Sequence, residues 1–471
     1  MALVPFIRNA IRISQHPDAK NKLVKELKEL SQYGSGESGD QAVSGSQWSA
    51  FPKKLADELK QLKDKELTRE LHLFPAVLEA HRSGPKSKLD QLYHDLKKIG
   101  LGDVRKYTYY AILKSDGDRM GKLLSGGNDG TDNNMCYGNA FHSDIYKKLK
   151  PVGDSNVDLN NYLQASRLSS PGRHMSISGA LSTFSSKAAP YLIEHVLSGK
   201  VIYSGGDDLL AFLPVDDVLP ALYMLKNFYQ GTKVDDNSLN EFDKDVKLGN
   251  GWAMLDGQLS LCMGSKATIS AGVVIAHYSH PILAVLRELD EAERTAKSSG
   301  RDAFCIRVLK RSGGEESVVA SFDPPKYQVH TSDRAPAALM HDLLDQLEKR
   351  VSRRALFIAR SFLEQLPPPD PRDVERMESW RDMITSALTE QLGSEMASYP
   401  GTDIRQLCSD LVTLALATQS GLGSSNDGHA QPANKYLTGL LGVVEFIARY
   451  QNDVATEIPE EQDTGEAVVS Q

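Results

Sequence analysis

The chain has 471 residues, of which 40% are hydrophobic, and a formal net charge of −8 at pH 7. This length can bury more than one core, so we expect two or three domains. The negative net charge argues against nucleic-acid binding over the whole protein surface. Any contact with nucleic acid should therefore be confined to a local patch. The four cysteines form no Cys-x-x-Cys pair. Their scatter argues against a structural zinc or a disulfide framework and is typical of a reducing compartment.

Neither a membrane span nor a targeting segment is expected from the sequence. No apolar run is long enough to cross a bilayer, and the start of the chain does not show a charged-then-apolar leader with a cleavage site. We therefore expect a soluble, cytoplasmic protein.

Helical patterns dominate both ends of the chain. Residues 1–104 predict a helical N-terminal region, whose Gly/Ser-rich segment 34–47 is expected to be a flexible loop. Between residues 333 and 456 apolar side chains recur at helical spacing around three prolines at 367–369, which predicts a helical C-terminal domain. The acidic stretch 457–471 has few apolar residues and is expected to be a disordered tail.

The middle of the chain, residues 105–325, predicts a ferredoxin-like palm. An apolar run ends in an acid at Asp116, and a helix with apolar residues at steps of three and four follows. The later elements are a hairpin (201–213), a helix (218–229), a strand (267–276), a helix (281–297) and a strand (303–309). This β-α-β-hairpin-α-β-α-β order predicts an α+β fold of the nucleotide cyclase or polymerase type, with insertions at 125–170 and 230–262.

The most informative motif is Gly205-Gly206-Asp207-Asp208, which lies between two short apolar runs. The glycines allow a sharp turn and the close approach of a triphosphate, and the two carboxylates offer hard oxygen ligands for Mg²⁺ or Mn²⁺. The same tetrapeptide is also an ordinary turn sequence. Taken alone, the motif leaves a plain hairpin and a metal site as alternatives.

Asp116 supplies the second half of a two-metal pattern. It ends a buried strand and is followed by Gly117 and Asp118. In two-metal phosphoryl chemistry the cations lie roughly 3.5–4 Å apart and are bridged by carboxylates. A strand-end acid and a pair of acids at a hairpin tip can supply these carboxylates if their strands are neighbours. The sequence therefore predicts that Asp116 meets Asp207 and Asp208.

Four segments carry a family resemblance: Asp116 to Lys122, Pro171 to Ser178, the Gly-Gly-Asp-Asp hairpin, and Ser270 to His277 ahead of His280-Pro281. Together they resemble the large polymerase-cyclase subunit of type III CRISPR effector complexes, and its Cmr-type (III-B) branch above all. The C-terminal region resembles the helical thumb of that subunit. Separately, residues 290–302 are similar to the last helix and turn of diguanylate cyclase domains, which use the same palm.

The resemblance implies that the chain makes cyclic oligoadenylate from ATP when target RNA binds to the complex. Asp116, Asp207 and Asp208, with the Gly117 carbonyl, would hold two Mg²⁺ or Mn²⁺ ions. One ion would lower the pKa of a ribose 3′-hydroxyl and the other would neutralise the triphosphate under attack. The implied partners are the other subunits of the complex, the guide crRNA and the target RNA.

Several further residues are expected around the nucleotide. Lys297 and Arg301 match the diguanylate cyclase positions near the β- and γ-phosphates, although basic residues near a helix C-terminus also suit the helix dipole. Gly205 and Gly206 would let the nucleotide approach the hairpin backbone. Ser204 either touches the ribose or simply begins the turn.

Other polar residues have structural alternatives. Asp118 is either a third metal ligand or a turn residue, and His174 either contacts the nucleotide or opens a helix. His277 and His280 lie close together after a strand. Without a cysteine or a third histidine at suitable spacing, we expect them to be structural rather than metal ligands.

Larger members of the family also carry a His-Asp nuclease domain, a first palm and a Cys-rich zinc module. His94-Asp95 and His341-Asp342 occur here, each within an amphipathic helical pattern. About 100 residues before the palm leave little room for a nuclease domain, so nuclease activity is not expected. The first palm and the zinc module are not apparent either. A homodimer or a companion chain would then have to supply the second nucleotide pocket.

Two other functions remain open at this point. A catalytically silent palm would bind nucleotide and act as a scaffold in the same kind of complex, and a stand-alone cyclic dinucleotide cyclase would use a similar site. The acids at the strand end favour the enzyme, because a scaffold gives no reason to gather carboxylates. The insertions and the helical C-terminal third are foreign to a stand-alone cyclase.

Overall fold

The structure is a computed structural model. It describes residues 4–14, 20–21, 23–25, 27–28, 52–61, 64–71, 74, 94, 108–125, 136–138, 141, 143–165, 170–233, 246–255, 257–324, 326–327, 330–332, 334–349, 353–370, 372–393, 404–419 and 431–450. The chain divides into two compact units, Met1–Tyr109 with Ala448–Gln471 and Tyr110–Ile447. The second unit contains both the sheet and most of the C-terminal helices. The domain boundaries expected from the sequence therefore stay a prediction.

The described residues of the first unit are mainly helical. Its elements are α1 (Val4–Ile13), α2 (Lys53–Gln61) and a helical stretch at 65–71. Aromatic packing contributes to its core, since the ring of Phe6 stacks on that of Phe74 with centroids 4.2 Å apart. The predicted loop at 34–47 and the predicted tail at 457–471 lie outside the described residues.

The second unit is built on a six-stranded sheet. In chain order the strands are β1 (Tyr109–Gly117), β2 (Lys200–Gly205), β3 (Asp208–Leu213), β4 (Lys247–Gly249), β5 (Trp252–Leu255), β6 (Gln258–Leu261), β7 (Ile269–His277), β8 (Ala303–Leu309), β9 (Glu315–Ser321), β10 (Lys326–Tyr327) and β11 (His330–Thr331). The large sheet has the order β2-β3-β1-β7-β8-β9. The pairs β1/β3, β2/β3 and β8/β9 are antiparallel, and β7/β8 is parallel. This is the predicted palm with one further strand.

Helices connect and flank these strands. They are α3 (Met120–Ser125), α4 (Ser143–Ser155), α5 (Val157–Gln164), α6 (Pro171–Thr183), α7 (Val218–Gln230), α8 (Ile282–Ser298), α9 (Pro336–Lys349), α10 (Arg353–Gln365), α11 (Val374–Gly393), α12 (Ile404–Gln419) and α13 (Ala433–Tyr450). α6 begins where the Ser170 hydroxyl accepts a hydrogen bond from the backbone N–H of Arg173, with Pro171 in the first turn. It continues through two π-helical turns, Phe184–Ala188 and Leu192–Val196.

Alternation along β1 assigns its side chains to the two faces of the sheet. Ile112 of β1 shares a core with Leu289 of α8, so α8 covers the face to which Ile112 points. Lys114 and Asp116 follow at steps of two and point to the same face. Ser115 points to the opposite face, where it is fully buried. The acid that ends β1 thus lies on the α8 side of the sheet.

The second predicted insertion, 230–262, contains a small sheet of its own, formed by β4, β5 and β6. Asn250 and Gly251 connect β4 to β5 with φ values of 53° and 81°. Two consecutive positive φ values are the signature of a type I′ hairpin, for which Asn-Gly is the favoured sequence. The described part of the first insertion, 125–170, contains the helices α4 and α5.

Five helices of the described chain, α9–α13, make up the C-terminal part of the second unit, as predicted. Arg360 of α10 joins them to the sheet, because its guanidinium pairs with Glu316 of β9 at 2.7 Å and with Glu445 of α13 at 3.2 Å. His341 and Asp342 lie within α9, and Asp342 pairs with Arg334. Among the described helices, none has both the length and the apolar character needed to cross a membrane.

Candidate active site

The sheet topology brings three acids together at one end of β1. Ser115 pairs with Leu209 across the β1/β3 ladder, which places Asp116 beside Asp208. The carboxyl of Asp116 interacts with those of both Asp207 and Asp208. Residues that are 91 positions apart in the chain (207 − 116) therefore meet, which is the arrangement that the sequence predicted.

Two glycines allow this close approach. Gly206 at the hairpin tip has a φ of 64°, a left-handed conformation that other residues rarely adopt. Gly117 follows Asp116, and a Cβ there would lie 2.8 Å from the Asp207 Oδ2 and 2.7 Å from the Tyr229 hydroxyl. A side chain at position 117 would therefore push Asp207 away from Asp116.

The cluster holds more negative charge than its surroundings balance. Burial above all, together with the charge of Asp116, raises the pKa of Asp207, against hydrogen bonds from the backbone N–H groups of Asp207 and Gly117. Burial and the neighbouring acids, Asp116 first, raise the pKa of Asp208 to about 6. The pKa of Tyr229 is raised beyond its ordinary range for the same two reasons. A site of this kind favours a bound cation.

Lys297 of α8 provides positive charge to the cluster. Its ammonium group pairs with Asp116 and, at 2.6 Å, with Glu293 one turn earlier on the helix. Burial by itself lowers the pKa of Lys297, but the hydrogen bonds and charges of these two acids outweigh it and the net direction is upward. The structure thus places Lys297 at the predicted site, where its ammonium group contacts Asp116, a predicted metal ligand.

Glu293 is a site residue that the sequence analysis missed. Its buried carboxylate pairs with Lys297 and, at 2.8 Å, with Lys114 of β1. Gly272 of β7 lets α8 come this close, because a Cβ there would lie 2.5 Å from the backbone nitrogen of Glu293. Two signals pointed to the residue: Glu293 is four positions before Lys297, and Lys114 is two positions before Asp116 on the same strand face.

Asp118 lies in a different environment from Asp116. It is buried, with 8% of its surface exposed. Its Oδ1 accepts a hydrogen bond from the Ser270 hydroxyl at 2.7 Å, and its Oδ2 accepts one from the Asp302 backbone N–H at 2.9 Å. Its own N–H donates to the Thr268 carbonyl at 2.9 Å. This is the geometry of the turn residue that the sequence left as an alternative to a third metal ligand.

Arg301 lies in the turn that Asp118 anchors. The turn has positive φ values at Arg301 (67°) and Asp302 (48°), and the side chain of Arg301 is exposed. Asp302 pairs with Lys226 at 2.7 Å. Burial above all raises the pKa of Asp302 to about 6, while Lys226 opposes that rise. The backbone of the turn is therefore held from two sides, and Arg301 extends from it into solvent.

The other predicted residues lie around or away from the cluster. The Ser204 hydroxyl is buried without a hydrogen-bond partner among the described atoms, and its pairing with Leu209 puts it on the face opposite Asp208. His174 is exposed in the first turn of α6. His277 lies at the far end of β7, where its Nδ1 is 2.6 Å from the Ser279 hydroxyl. This matches the structural role expected for it.

The sequence predicts metal ligands at this site, so the chemistry of the side-chain oxygens determines which ions fit. Within the described part of the chain, no three His, Cys, Asp or Glu side chains are already arranged to hold a metal ion. The carboxylates of Asp116, Asp207 and Asp208 are hard oxygen donors of the kind that Mg²⁺ and Mn²⁺ prefer. The residues therefore fit such ions by chemistry, and in this structure the Oδ2 of Asp116 is paired with the ammonium of Lys297.

Comparison with known proteins agrees with the geometry. Residues 109–305 match the family model for Cas10/Cmr2, second palm domain. This stretch is similar to a Cas10/Cmr2 palm. The CRISPR system Cmr subunit Cmr2 of Pyrococcus furiosus is 33% identical over 230 residues, which is 48% of this chain and 21% of that protein. The Cmr2 of Saccharolobus solfataricus is 30% identical over 227 residues, 44% of this chain and 21% of that protein. The resemblance predicted from the sequence motifs is confirmed.

The chain spans about a fifth of the length of the curated Cmr2 relatives that it matches. Among solved structures, the type III-B Cmr-beta complex in its apo state matches with a TM-score of 0.44 and 16% identity, covering 70% of this chain and 40% of that one. The Cmr-beta complex bound to cognate target RNA matches with a TM-score of 0.45 and 15% identity, over 72% of this chain and 39% of that one.

Proposed function

We propose that this chain is a subunit of an RNA-guided type III CRISPR effector complex and that it makes cyclic oligoadenylate from ATP when target RNA is bound. The single observation that carries the proposal is the meeting of Asp116, Asp207 and Asp208 beside Lys297 in a palm similar to that of Cas10/Cmr2. The other subunits, the guide crRNA and the target RNA are the proposed partners.

The carboxylates of Asp116, Asp207 and Asp208, with the Gly117 carbonyl, would hold two Mg²⁺ or Mn²⁺ ions. When bound, the ions would lower the pKa of the attacking 3′-hydroxyl and neutralise the triphosphate. In the reaction a 3′-oxygen of one ATP forms a bond to the α-phosphorus of another, and pyrophosphate leaves. Gly206, where a Cβ would meet nothing within 4 Å, would let the triphosphate approach the turn at the hairpin tip, whereas the Tyr203 hydroxyl already covers the predicted contact at Gly205.

Lys297 and Arg301 would supply positive charge to the β- and γ-phosphates. Lys297 pairs with Asp116, and its ammonium would exchange that carboxylate for the phosphates when Asp116 serves as a metal ligand. Glu293 would keep Lys297 beside the site after this exchange, because their contact is within one helix turn. Arg301 is exposed on a turn whose backbone Asp118 holds, so its guanidinium is accessible to a phosphate.

Joining two nucleotides requires an acceptor and a donor, and one palm provides one such site. A second copy of this chain or a companion chain would supply the other pocket. In either case the second nucleotide would have to approach the α8 side of the sheet, to which Asp116 points.

A second function has an observation in its favour. The described residues hold no preformed metal arrangement, and the ammonium of Lys297 already satisfies Asp116. This charge balance would suit a palm that binds nucleotide, or only holds neighbouring subunits, and has lost turnover. The raised pKa values of Asp207 and Asp208 support the enzyme instead, because a purely structural site gains nothing from unbalanced carboxylates.

The test is synthesis of product from labelled ATP or GTP with Mg²⁺ or Mn²⁺, by the chain alone and by its complex with guide RNA and cognate target RNA. We expect target-dependent adenylate rings from the wild type and none from Asp207→Ala/Asp208→Ala. The matched control is Asp154→Ala/Asp158→Ala, which removes two exposed aspartates from α4 and α5. Absence of product from either nucleotide in every setting would leave the scaffold as the function.

A further inference from the structure

An exposed aromatic side chain lies next to the carboxylate cluster. Tyr203 is on β2, an edge strand of the large sheet, two residues before the end of that strand at Gly205, and 56% of its surface is exposed. Neither the turn nor the metal chemistry proposed above requires an aromatic residue there. An exposed ring at the edge of a binding site is a common means of recognition, because its face offers apolar contact without demanding a hydrogen bond.

The ring of Tyr203 points toward the hairpin tip. A Cβ at Gly205 would lie 2.5 Å from the Tyr203 hydroxyl and 2.9 Å from the Cζ of its ring. The hydroxyl end of the ring therefore covers the backbone of Gly205, which pairs with Asp208 across the hairpin. The absence of a side chain at position 205 keeps the ring against the strand and beside the acids.

Strand pairing puts the ring on the same face of the sheet as the acids. Tyr203 and Lys114 both pair with Leu210, one from each side, so the three side chains form a row across β2, β3 and β1. Two residues further along these strands, the next row on that face contains Asp208 and Asp116. Tyr203 therefore lies one row away from the carboxylate cluster.

This part of the face is open. α8 packs over β7 and β8, and between the acids and Tyr203 the β3 residue Asp208 is exposed and Leu210 is only partly buried. A ligand whose phosphates lie at the carboxylates thus has room to extend toward Tyr203.

We propose that Tyr203 is the platform on which the base of the bound nucleotide stacks. The inference rests on the proposed function, because it takes the carboxylate cluster to be the phosphate end of a nucleotide site. Every base has a flat face that can stack on an aromatic ring, so Tyr203 contributes affinity for purine nucleotides in general and does not select adenine over guanine.

The experiment measures binding of 2-aminopurine riboside triphosphate to the full chain with Mg²⁺, since stacking quenches the fluorescence of this base. We expect Tyr203→Ala to raise the Kd roughly five- to hundredfold and to abolish the quenching of the bound probe, as for other base-stacking aromatics. Tyr203→Phe should retain both, because the ring and not the hydroxyl carries the role.

Two controls separate the outcomes. Tyr278→Ala removes another exposed tyrosine, 45% exposed, which follows the far end of β7, and it should leave probe binding unchanged. Inorganic tripolyphosphate, measured by calorimetry, should bind the wild type and Tyr203→Ala equally, because it has no base. If tripolyphosphate binds and the probe binds both proteins with the same Kd and quenching, the platform is wrong and the nucleotide site stands. If the wild type binds neither ligand, the platform and the proposed nucleotide site both fail.

Discussion

Two acids separated by one residue, Asp116 and Asp118, lie in opposite electrostatic surroundings. Asp116 meets Asp207 and Asp208, where burial and mutual repulsion raise the pKa values of the hairpin acids. Both oxygens of Asp118 accept hydrogen bonds, from the Ser270 hydroxyl and the Asp302 N–H. The first region has too much negative charge for its partners, and the second is fully satisfied.

The difference teaches how a carboxylate can be assigned to binding or to structure. A satisfied buried acid stabilises the fold and gains nothing from a ligand, whereas an unbalanced cluster lowers its free energy when a cation arrives. Both residues are aspartates at the C-terminal end of β1. The partners alone distinguish them, and each prediction below changes one set of partners.

The largest effect on stability is expected from Asp118→Ala. The substitution leaves the Ser270 hydroxyl and the Asp302 N–H without their acceptor in a buried junction, and each orphaned group costs about 1–3 kcal/mol. We expect the free energy of unfolding to fall by about 2–5 kcal/mol, measured by urea denaturation followed by circular dichroism.

Asp208→Asn is the matched comparison. It removes one charge from the crowded cluster, so the free energy of unfolding should stay the same or rise by under about 1 kcal/mol, because the side chain is partly exposed. A loss as large as that of Asp118→Ala would contradict the division into an unbalanced and a satisfied region.

An intermediate effect on stability is expected from Glu293→Gln. Glu293 contacts Lys297, which in turn pairs with Asp116 of the cluster. The neutral amide keeps the shape but weakens the contacts with Lys297 and Lys114, so the unfolding free energy should fall by about 1–3 kcal/mol. If Lys297 contacts the phosphates, the Kd for tripolyphosphate should also rise, as measured by calorimetry.

Glu291→Gln is the control for this prediction, since Glu291 is exposed on the same helix and pairs only with Arg294 among the contacts described for it. It should change neither quantity. If Glu293→Gln left tripolyphosphate binding unaltered while destabilising the chain, Glu293 would be structural and would not position Lys297.

Much of the candidate site followed from the sequence because its signals are local. A strand-end acid and a Gly-Gly hairpin are short patterns, and the palm order predicts that the strand ending near Asp116 lies beside the hairpin that carries Asp207. The contact of Glu293 with Lys114 is not local. It depends on how closely α8 packs on β7 beside β1, and the glycine at position 272 that allows this packing is recognised only in three dimensions.

Some elements of the fold were also not predicted from the sequence. Asn250-Gly251 and Asp256-Gly257 are the strongest short hairpin signals, yet the sequence analysis predicts only an insertion at residues 230–262 and no strands within it. Strands of three or four residues, such as β4 and β5, are too short to show alternation. The π-helical turns after α6 were equally invisible, because an extra residue in a turn hardly changes an apolar pattern with steps of three and four.

The last prediction concerns pH and Asp302, which lies in the turn that Asp118 anchors. Burial above all raises the pKa of this carboxyl from 3.8 to about 6, and the Lys226 ammonium offsets part of that rise. Between these two values the folded chain retains a proton that the unfolded chain has released, so its contribution to stability is present below about pH 4 and is lost as the pH rises toward 6. Asp302→Asn removes this contribution to the dependence of the unfolding free energy on pH. Urea denaturation of both proteins between pH 4 and 7 should therefore show a smaller loss of unfolding free energy with rising pH in the variant. If the unfolding free energies of the two proteins changed equally with pH, Asp302 would titrate alike in the folded and unfolded chains.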